Sequence, residues 1–232
     1  MLQMFVHTYD KLPLKISYGG REMSLFLGKI HYWLFNKILW FENLEEEIIK
    51  TAKSEGLDIE GVKSEIEAKY GAKLENKNLE EIIDTNNIHG WLQDRIHRAE
   101  GRMAAWTKFM IQNDKISALE KVYIDQAKEA ASEVTSERAI ENAPEIFNCM
   151  NDYILDGMPC DHVNQVIESD EDAVKWVRRI CVHKELWAEE GVDVDVFYNL
   201  RGLWIKEFVK DLNSEFEYRE LGQNEFIISK IA

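Results

Sequence analysis

Residues 30–42, IHYWLFNKILWFE, and residues 88–100, IHGWLQDRIHRAE, decide the fold. The two stretches share six identical residues at a constant offset of 58 positions. In each of them a leucine and an isoleucine recur four positions apart, which is the spacing of the apolar face of an amphipathic helix. We therefore predict two long helices that carry the same pattern.

Helical periodicity also extends beyond these two stretches. Apolar residues recur three and four positions apart, and glycine, proline or a capping side chain marks the ends of each run. The predicted helices span residues 24–54, 58–70, 85–113, 116–131, 144–157, 169–191 and 195–212. Because these helices account for most of the chain, we expect a mainly α protein built as a multi-helix bundle.

The two ends of the chain alternate between apolar and polar residues instead of following a helical period. Near the C-terminus, an alternating run lies on each side of Gly-Gln-Asn at 222–224, which is typical of a β-hairpin. Residues 1–22 predict an extended lead-in whose strands can join that hairpin. We expect a helical domain over residues 23–213, with the hairpin of residues 214–232 packed on it.

The composition of the chain limits which kinds of partner we expect it to bind. The chain has 43 acidic against 28 basic residues and a net charge of -15, which opposes a polyphosphate and argues against nucleic acid. The most apolar stretch, residues 25–44, is interrupted by charged and polar residues, so no membrane span is predicted. Three cysteines are an odd number, which favours a reducing, cytoplasmic setting over a disulfide framework.

A histidine and a glutamate recur together in the two related stretches, as His31 with Glu42 and His89 with Glu100. Within one helix the two side chains are about 16 Å apart along the axis, so a shared ion requires both helices. Parallel packing places His31 beside His89, whereas antiparallel packing places each histidine beside the other copy's glutamate. The pattern predicts a divalent metal site made by these four residues. The alternative is that the histidines make ordinary hydrogen bonds at the edge of the core.

A first candidate nucleophile lies in residues 157–162, Gly-Met-Pro-Cys-Asp-His. Pro159 is expected to place Cys160 in the first turn of a helix, where the backbone amides stabilise a thiolate. The negative charge of Asp161 opposes this effect. His162 is the candidate base.

Cys181 and His183 form a second candidate pair of nucleophile and base. Both lie within the helix predicted over residues 169–191. Positions i and i+2 of a helix are about 200° apart, so these two side chains are not expected to bind one metal ion together.

The C-terminal part of the chain resembles one known family. Arg179, Cys181, Gly191 and a helix that leads into Phe-Glu-Tyr-Arg at 216–219 follow the order found in the L-2-amino-thiazoline-4-carboxylic acid hydrolase family. The resemblance implies a related fold in which Cys181 lines a pocket. The family's second cysteine, with an aspartate nearby, has no counterpart in residues 197–201, so the hydrolase activity is not carried over with the fold.

Three functions remain open at this point. Glycine-rich phosphate loops and the common hydrolase motifs are missing from the sequence, which disfavours nucleotide chemistry. The leading hypothesis is an internal pocket lined by His31, His89 and residues 160–181 that binds a metal ion or a small molecule. A thiol-dependent hydrolase or transferase that uses Cys160 or Cys181 is the enzymatic alternative. An acidic interaction module, or a helical scaffold that forms a homodimer, is the third.

Overall fold

The computed structural model describes residues 27–222 and 224–231. The helices are α1 Lys29–Ser54, α2 Glu60–Tyr70, α3 Leu79–Ile82, α4 Ile88–Gln112, α5 Ile116–Glu137, α6 Ala143–Tyr153, α7 Lys184–Glu189 and α8 Val194–Leu212. The strands are β1 Asn164–Ser169, β2 Ala173–Arg178, β3 Phe216–Gly222 and β4 Glu225–Lys230. The predicted mainly α fold with a small β element near the C-terminus is confirmed. The extended lead-in predicted over residues 1–22 lies outside the described residues.

Helices α1 and α4 pack side by side and run in the same direction. The ring centres of His31 and His89 are 5.6 Å apart, and further along the same two helices Arg102 bonds Glu45. In both contacts the partner on α4 lies 57 or 58 positions after the residue on α1, which is about the offset of the two related stretches. Two helices that keep the same offset along their length must be parallel. Of the two packings left open by the sequence, the parallel one is therefore observed.

Two hydrophobic clusters form the core. The larger one joins the C-terminal half of α1 with α5, α6, α8 and the inner face of the sheet. The smaller one joins the first turns of α1 and α4 with Leu155 and Met158. The chain that follows α6 passes from the larger cluster at Tyr153 to the smaller one at Leu155, and this boundary between two apolar regions is where the charged side chains described below are buried.

The sheet is antiparallel and has the strand order β1-β2-β4-β3. The predicted hairpin corresponds to β3 and β4, and it is joined by β1 and β2. The helix predicted over residues 169–191 is therefore wrong. In β2, Val174 and Trp176 are buried while their neighbours are more exposed, so this part of the chain alternates with the period of a strand.

The residues between β1 and β2, where the predicted helix would begin, form a turn. The carboxylate of Asp170 accepts hydrogen bonds from the backbone N–H groups of Asp172 and Ala173, at 3.0 and 2.9 Å. Aspartate commonly stabilises tight turns in this way. The turn joins β1 to β2, and only the six residues of α7 are helical in the region that follows.

No helix in the described ranges is long and apolar enough to cross a membrane.

Candidate functional site

Asp156 is the centre of a buried array of charges. Its Oδ1 atom accepts hydrogen bonds from Nε2 of His183 and from Nη1 of Arg201, each at 2.9 Å. Its Oδ2 atom accepts a bond from the Nδ2 group of Asn164, at 2.6 Å. On the other side of the imidazole, Nδ1 of His183 contacts Oε1 of Glu100 at 2.5 Å. Two carboxylates and two cations thus share one enclosed region.

Three different elements position these groups. Arg201 projects from α8, and it also donates from Nη2 to the carbonyl oxygen of Leu155, at 2.8 Å. Glu100 projects from α4 and accepts a further bond from Nε1 of Trp187, at 3.2 Å. His183 precedes α7 and is only 2% exposed. Because each side chain has several partners, the array is rigid.

The protonation states follow from burial and charge together. Burial favours the neutral form of Asp156, but Arg201 and His183 outweigh it, and the pKa of Asp156 lies well below its ordinary value. Burial also favours neutral His183, but Glu100 and the bond to Asp156 outweigh it and raise the pKa of His183. Both ring nitrogens of His183 are engaged within the array, Nδ1 by Glu100 and Nε2 by Asp156, with Nη2 of Arg201 3.2 Å from the same Nε2 atom, so neither nitrogen faces a ligand as a general base.

A cleft opens on this array between α6, α8 and the inner face of the sheet. Its polar lining comes from Asp156, Arg178, Tyr198, Arg201 and Glu220. The walls enclose about 520 Å³, including the mouth that is open to solvent. The cleft therefore suits a small ligand.

Three aromatic rings on neighbouring strands form the apolar wall of the cleft. Trp176, Tyr218 and Phe226 lie with ring centres 5.6 to 6.3 Å apart and with their planes within 12 to 29° of one another. They are brought together because Trp176 pairs with Phe226 across β2 and β4, and Tyr218 stands on the next strand. A planar molecule can stack on such a surface.

The mouth of the cleft carries a tyrosine, an arginine and a thiol. The hydroxyl of Tyr198 donates a hydrogen bond to Sγ of Cys181, at 3.1 Å. The guanidinium of Arg178 lies 3.5 Å from the centre of the Tyr198 ring. Burial, followed by the bond to Cys181, raises the pKa of Tyr198, so its hydroxyl stays protonated.

Lys37 is a further buried charge at the back of the array. Its residue is 5% exposed, and its Nζ atom lies 3.9 Å from the centre of the Trp33 ring. Burial lowers the pKa of Lys37 to about 8, against the opposing effect of Asp156 and Asp152. Burial likewise raises the pKa of Asp152 to about 6. Residues with pKa values shifted in this way are often found together at functional sites.

No family model, curated protein or solved structure matches this chain. The resemblance to the L-2-amino-thiazoline-4-carboxylic acid hydrolase family therefore stays a prediction. The function proposed below is argued from the geometry of the site.

The four residues of the predicted metal site do not converge. His31 and His89 are adjacent, but Glu42 bonds Arg102 and Glu100 bonds His183. Within residues 27–222 and 224–231, no group of three or more His, Cys, Asp or Glu side chains is arranged to hold a metal ion. The parallel helices bring the histidines together, yet they direct the two glutamates to different partners.

His31 is also in the wrong tautomer for a metal ligand. Its Nδ1 atom accepts a hydrogen bond from the backbone N–H of Gly28, at 3.0 Å, which caps α1. A neutral imidazole that accepts at Nδ1 carries its proton on Nε2, so neither nitrogen offers a free lone pair. The alternative that the sequence left open, an ordinary hydrogen bond, describes His31.

The two thiol pairs are not arranged as predicted. Cys160 lies in a three-residue 3₁₀ turn, Pro159–Asp161, rather than in the first turn of an α-helix, so the expected effect of helix amides on its thiol is missing. Asp161 instead accepts a bond from the Met158 N–H, at 2.8 Å. Cys160 and His162 are exposed and do not line the cleft.

Cys181 and His183 lie in the loop before α7 and not within a helix, so the helical geometry that separated them does not apply. They nevertheless bond different groups: the thiol contacts Tyr198 at the surface, while the imidazole is buried between Glu100 and Asp156. His31 and His89 are not among the residues that line the cleft, so the internal pocket that would join them to residues 160–181 stays a prediction.

Sequence reasoning missed the three residues that organise the site, Lys37, Asp156 and Arg201. The sequence contains a signal for two of them, Arg201 and Lys37. Arg201 lies four positions after Phe197 and three before Trp204, and Lys37 lies three before Trp40, so both occupy the apolar face of a helix. A cation at a core position requires a buried partner, which was the available clue.

Proposed function

We propose that the cleft between α8 and the sheet binds a small planar molecule that carries a carboxylate and an amino group. One observation carries this proposal: two guanidinium groups, two carboxylates and a stacked aromatic wall line the same cleft. Arginine side chains recognise carboxylates through pairs of N–H groups, and the carboxylates accept hydrogen bonds from an amine.

Arg178 supports the carboxylate end of such a ligand. Its guanidinium lies between the rings of Tyr198 and Phe226, at 3.5 and 5.4 Å from their centres. One N–H group is committed to Oδ1 of Asn224, at 2.6 Å. The remaining donors are held at the cleft by stacking, and no carboxylate of the residues that the structure describes forms an ion pair with them, so a ligand anion has none of these carboxylates to displace.

Glu220 supports the amino end. Its side chain accepts a bond from the hydroxyl of Tyr218, at 3.3 Å, and faces α8 at Gly202. A Cβ atom at position 202 would lie 2.7 Å from Oε1 of Glu220, so glycine leaves the room that this carboxylate occupies. The array around Asp156 fixes the position of Arg201 on the opposite wall.

A matched set of probes tests the proposal by calorimetry. We expect 2-aminobenzoate to bind, 2-aminobenzamide to bind at least tenfold more weakly, and non-planar cyclohexanecarboxylate to bind weakly as well. A tenfold change corresponds to about 1.4 kcal/mol of binding free energy. Equal binding of the acid and the amide would overturn the role of the arginines.

Two neighbouring arginines provide the variant and its control. Arg178 lines the cleft, whereas Arg179 is exposed and does not. Arg178→Gln should weaken 2-aminobenzoate binding at least tenfold, and Arg179→Gln should leave it unchanged while removing the same overall charge. If the two variants lose affinity equally, the effect is one of net charge and the proposed contact is wrong.

A thiol-dependent reaction at the same cleft is a second candidate. The bond from the Tyr198 hydroxyl to Sγ of Cys181 favours it, because Tyr198 also lines the cleft. In this reaction the Cys181 sulfur would add to the carbonyl carbon of a bound ester or amide, while the thiol proton passes to Tyr198 and the Tyr198 proton passes to the heteroatom of the leaving group. The bond between carbon and that heteroatom would break to give a thioester, and water would then hydrolyse the thioester, which releases the acid and restores the thiol.

Protection from alkylation tests this second candidate. Cys160 and Cys181 are both exposed, so both should react with iodoacetamide in the native protein. Saturating 2-aminobenzoate should slow labelling of Cys181 several-fold and leave Cys160 unaffected. Equal rates with and without ligand at Cys181 would separate the thiol from the cleft, while leaving the binding proposal standing.

A further inference from the structure

Asn224 lies in the turn between β3 and β4 and bonds Arg178 twice. Its carbonyl oxygen accepts a hydrogen bond from the backbone N–H of Arg178, at 2.9 Å. Its Oδ1 atom accepts a second bond from Nη2, at the far end of the same arginine, at 2.6 Å. One turn residue therefore holds both ends of a side chain that lines the cleft.

The backbone of this turn limits which residues can make the two bonds. Asn224 has a φ of 63°, in the left-handed region that glycine, asparagine and aspartate adopt most readily. Glycine has no side chain with which to bond Nη2. Aspartate can accept the bond, but its carboxylate would neutralise the guanidinium. Of the three, asparagine alone fixes the direction of Arg178 and leaves its positive charge without a counter-charge.

The acidic residue next to this turn is directed away from Arg178. Glu225, which follows Asn224, forms an ion pair with Lys175, at 3.0 Å. In the part of the chain that the structure describes, no carboxylate forms an ion pair with Arg178. Its guanidinium is half-buried and lies over the Tyr198 ring. Arg178 is therefore a cation that is oriented by a neutral partner.

We infer that Asn224 is a positioning residue that makes the cleft select ligands carrying a carboxylate over their neutral analogues. The inference rests on the function proposed for the cleft and names the residue that determines its specificity. Asn224 does not line the cleft, so it acts through Arg178. It holds the remaining N–H groups of the guanidinium in one orientation, and it leaves their charge available to a ligand anion.

A purely structural role for Asn224 gives a different expectation. If this residue only supports the left-handed turn, glycine and aspartate should replace it equally well, because both accept that conformation. Neither replacement would then change the relative affinities of the cleft for an acid and for its amide. The ratio of these two affinities is therefore the quantity to measure.

Calorimetry with 2-aminobenzoate and 2-aminobenzamide measures that ratio in the wild type and in two variants. Asn224→Asp should weaken binding of the acid at least tenfold and change binding of the amide less than twofold, because a carboxylate on Arg178 competes with the acid alone. Asn224→Gly keeps the charge of Arg178 free but loses one orienting bond, so the acid should bind about three- to fivefold more weakly. The preference for the acid should therefore disappear in the first variant and shrink in the second.

Gln165→Glu provides the matched control for added negative charge. Gln165 pairs with Val177, the residue before Arg178, and Val166 pairs with Trp176. Because side chains alternate along a strand, Gln165 lies on the face of the sheet opposite to Trp176 and the cleft. This variant should keep the preference for the acid. If it removed the preference as fully as Asn224→Asp, the effect would be one of nearby charge, and the inference would be overturned.

A measurement without ligand separates this inference from the proposed function. Nitrogen-15 NMR should show slow rotation of the Arg178 guanidinium about its Nε–Cζ bond in the wild type and fast rotation in Asn224→Gly. Fast rotation in the wild type, or an unchanged ratio of acid to amide affinity in Asn224→Asp, would overturn the inference even if 2-aminobenzoate binds. Slow rotation in a wild-type protein that binds no 2-aminobenzoate would instead overturn the proposed ligand, and with it the selectivity, but not the positioning of Arg178 by Asn224.

Discussion

Two buried arginines, Arg102 and Arg201, organise two charged regions of this molecule in different ways. Arg102 is 1% exposed, and it donates from Nε to Glu45 and from Nη2 to Glu42, at 2.8 and 2.5 Å. It joins α4 to α1 and does not line the cleft. Arg201 makes comparable contacts, yet it lines the cleft.

The two regions also differ in charge balance. Around Arg102 one cation faces two carboxylates, whereas around Arg201 two cations face two carboxylates. The first arrangement holds helices together. The second is neutral as a whole and leaves N–H groups of Arg201 for other partners. Buried charge alone therefore does not mark a functional site, and what distinguishes Arg201 is the space beside it.

The largest expected effect is the loss of stability on replacing Arg102. Arg102→Met leaves Glu42 and Glu45 buried without their cation, which should lower the free energy of unfolding by about 3–5 kcal/mol. Arg98→Met, which removes an exposed bond to Asp94, should cost less than about 1 kcal/mol. Urea unfolding measures both. Similar losses in the two variants would mean that the Arg102 contacts contribute little.

A smaller loss of stability, together with weaker ligand binding, is expected when the region around Arg201 is changed. Asp156→Asn keeps the shape of the side chain but removes the charge shared by His183 and Arg201, and should cost about 2–4 kcal/mol. It should also weaken 2-aminobenzoate binding at least tenfold, because Arg201 is no longer held in place. The folded fraction of Arg102→Met should bind the ligand normally. Normal binding by Asp156→Asn would remove the functional distinction between the two arginines.

Glu45, which bonds Arg102, and His183, which shares Asp156 with Arg201, should make the stability depend on pH in different windows. Burial raises the pKa of Glu45 from 4.5 to about 7, so between these values the folded state holds more protons and stability falls as the pH rises. The pKa of His183 is also raised, so its contribution is complete below about pH 6.5 and is lost as the pH rises through the folded-state pKa.

Two substitutions test which residue causes the loss of stability in each pH range. Glu45→Gln should remove a fall of about 2 kcal/mol in the free energy of unfolding between pH 4.5 and 7. His183→Gln should remove the fall above pH 6.5 and leave the lower window in place. Urea titrations at half-unit pH steps provide the measurement. If one substitution flattened both windows, the two regions would be coupled rather than separate.

The smallest effect is expected at the histidine pair, where two imidazole rings lie near the surface. His31→Ala removes the capping bond to Gly28 and should cost less than about 1 kcal/mol. Because His31 is held in a tautomer without a free lone pair, zinc should bind no more tightly to the parent protein than to His31→Ala or His89→Ala. Zinc affinity that fell in both variants would restore the paired metal site.

The sequence predicted the long helices and the C-terminal hairpin because their apolar residues repeat with an unmistakable period. It mispredicted β2 because a short strand that contains Val174, Trp176 and Val177 fits helical spacing once it is joined to Trp187. Local pattern cannot choose between the two when the pairing partner, β4, lies about 50 residues away along the chain.

The candidate site was harder to predict, because it depends on contacts between distant residues. His183 and Glu100 were both selected from the sequence, but for separate sites, and only the packing of α4 against α7 brings them together. Asp156 follows α6 with no motif around it. Its role arises from His183 and Arg201, 27 and 45 positions later.

The parallel packing of α1 and α4 also constrains the order in which the chain can fold. Helix α1 cannot dock on α4 until residues 55–87 have carried the chain back to the level of His31, because the facing residues are 58 positions apart. Closing a loop of that length costs conformational entropy before any contact between the two helices offsets it, so such contacts form slowly. On the ribosome, α1 is therefore synthesised first and must wait for its partner, with Trp33, Phe35 and Trp40 exposed to chaperones in the interval.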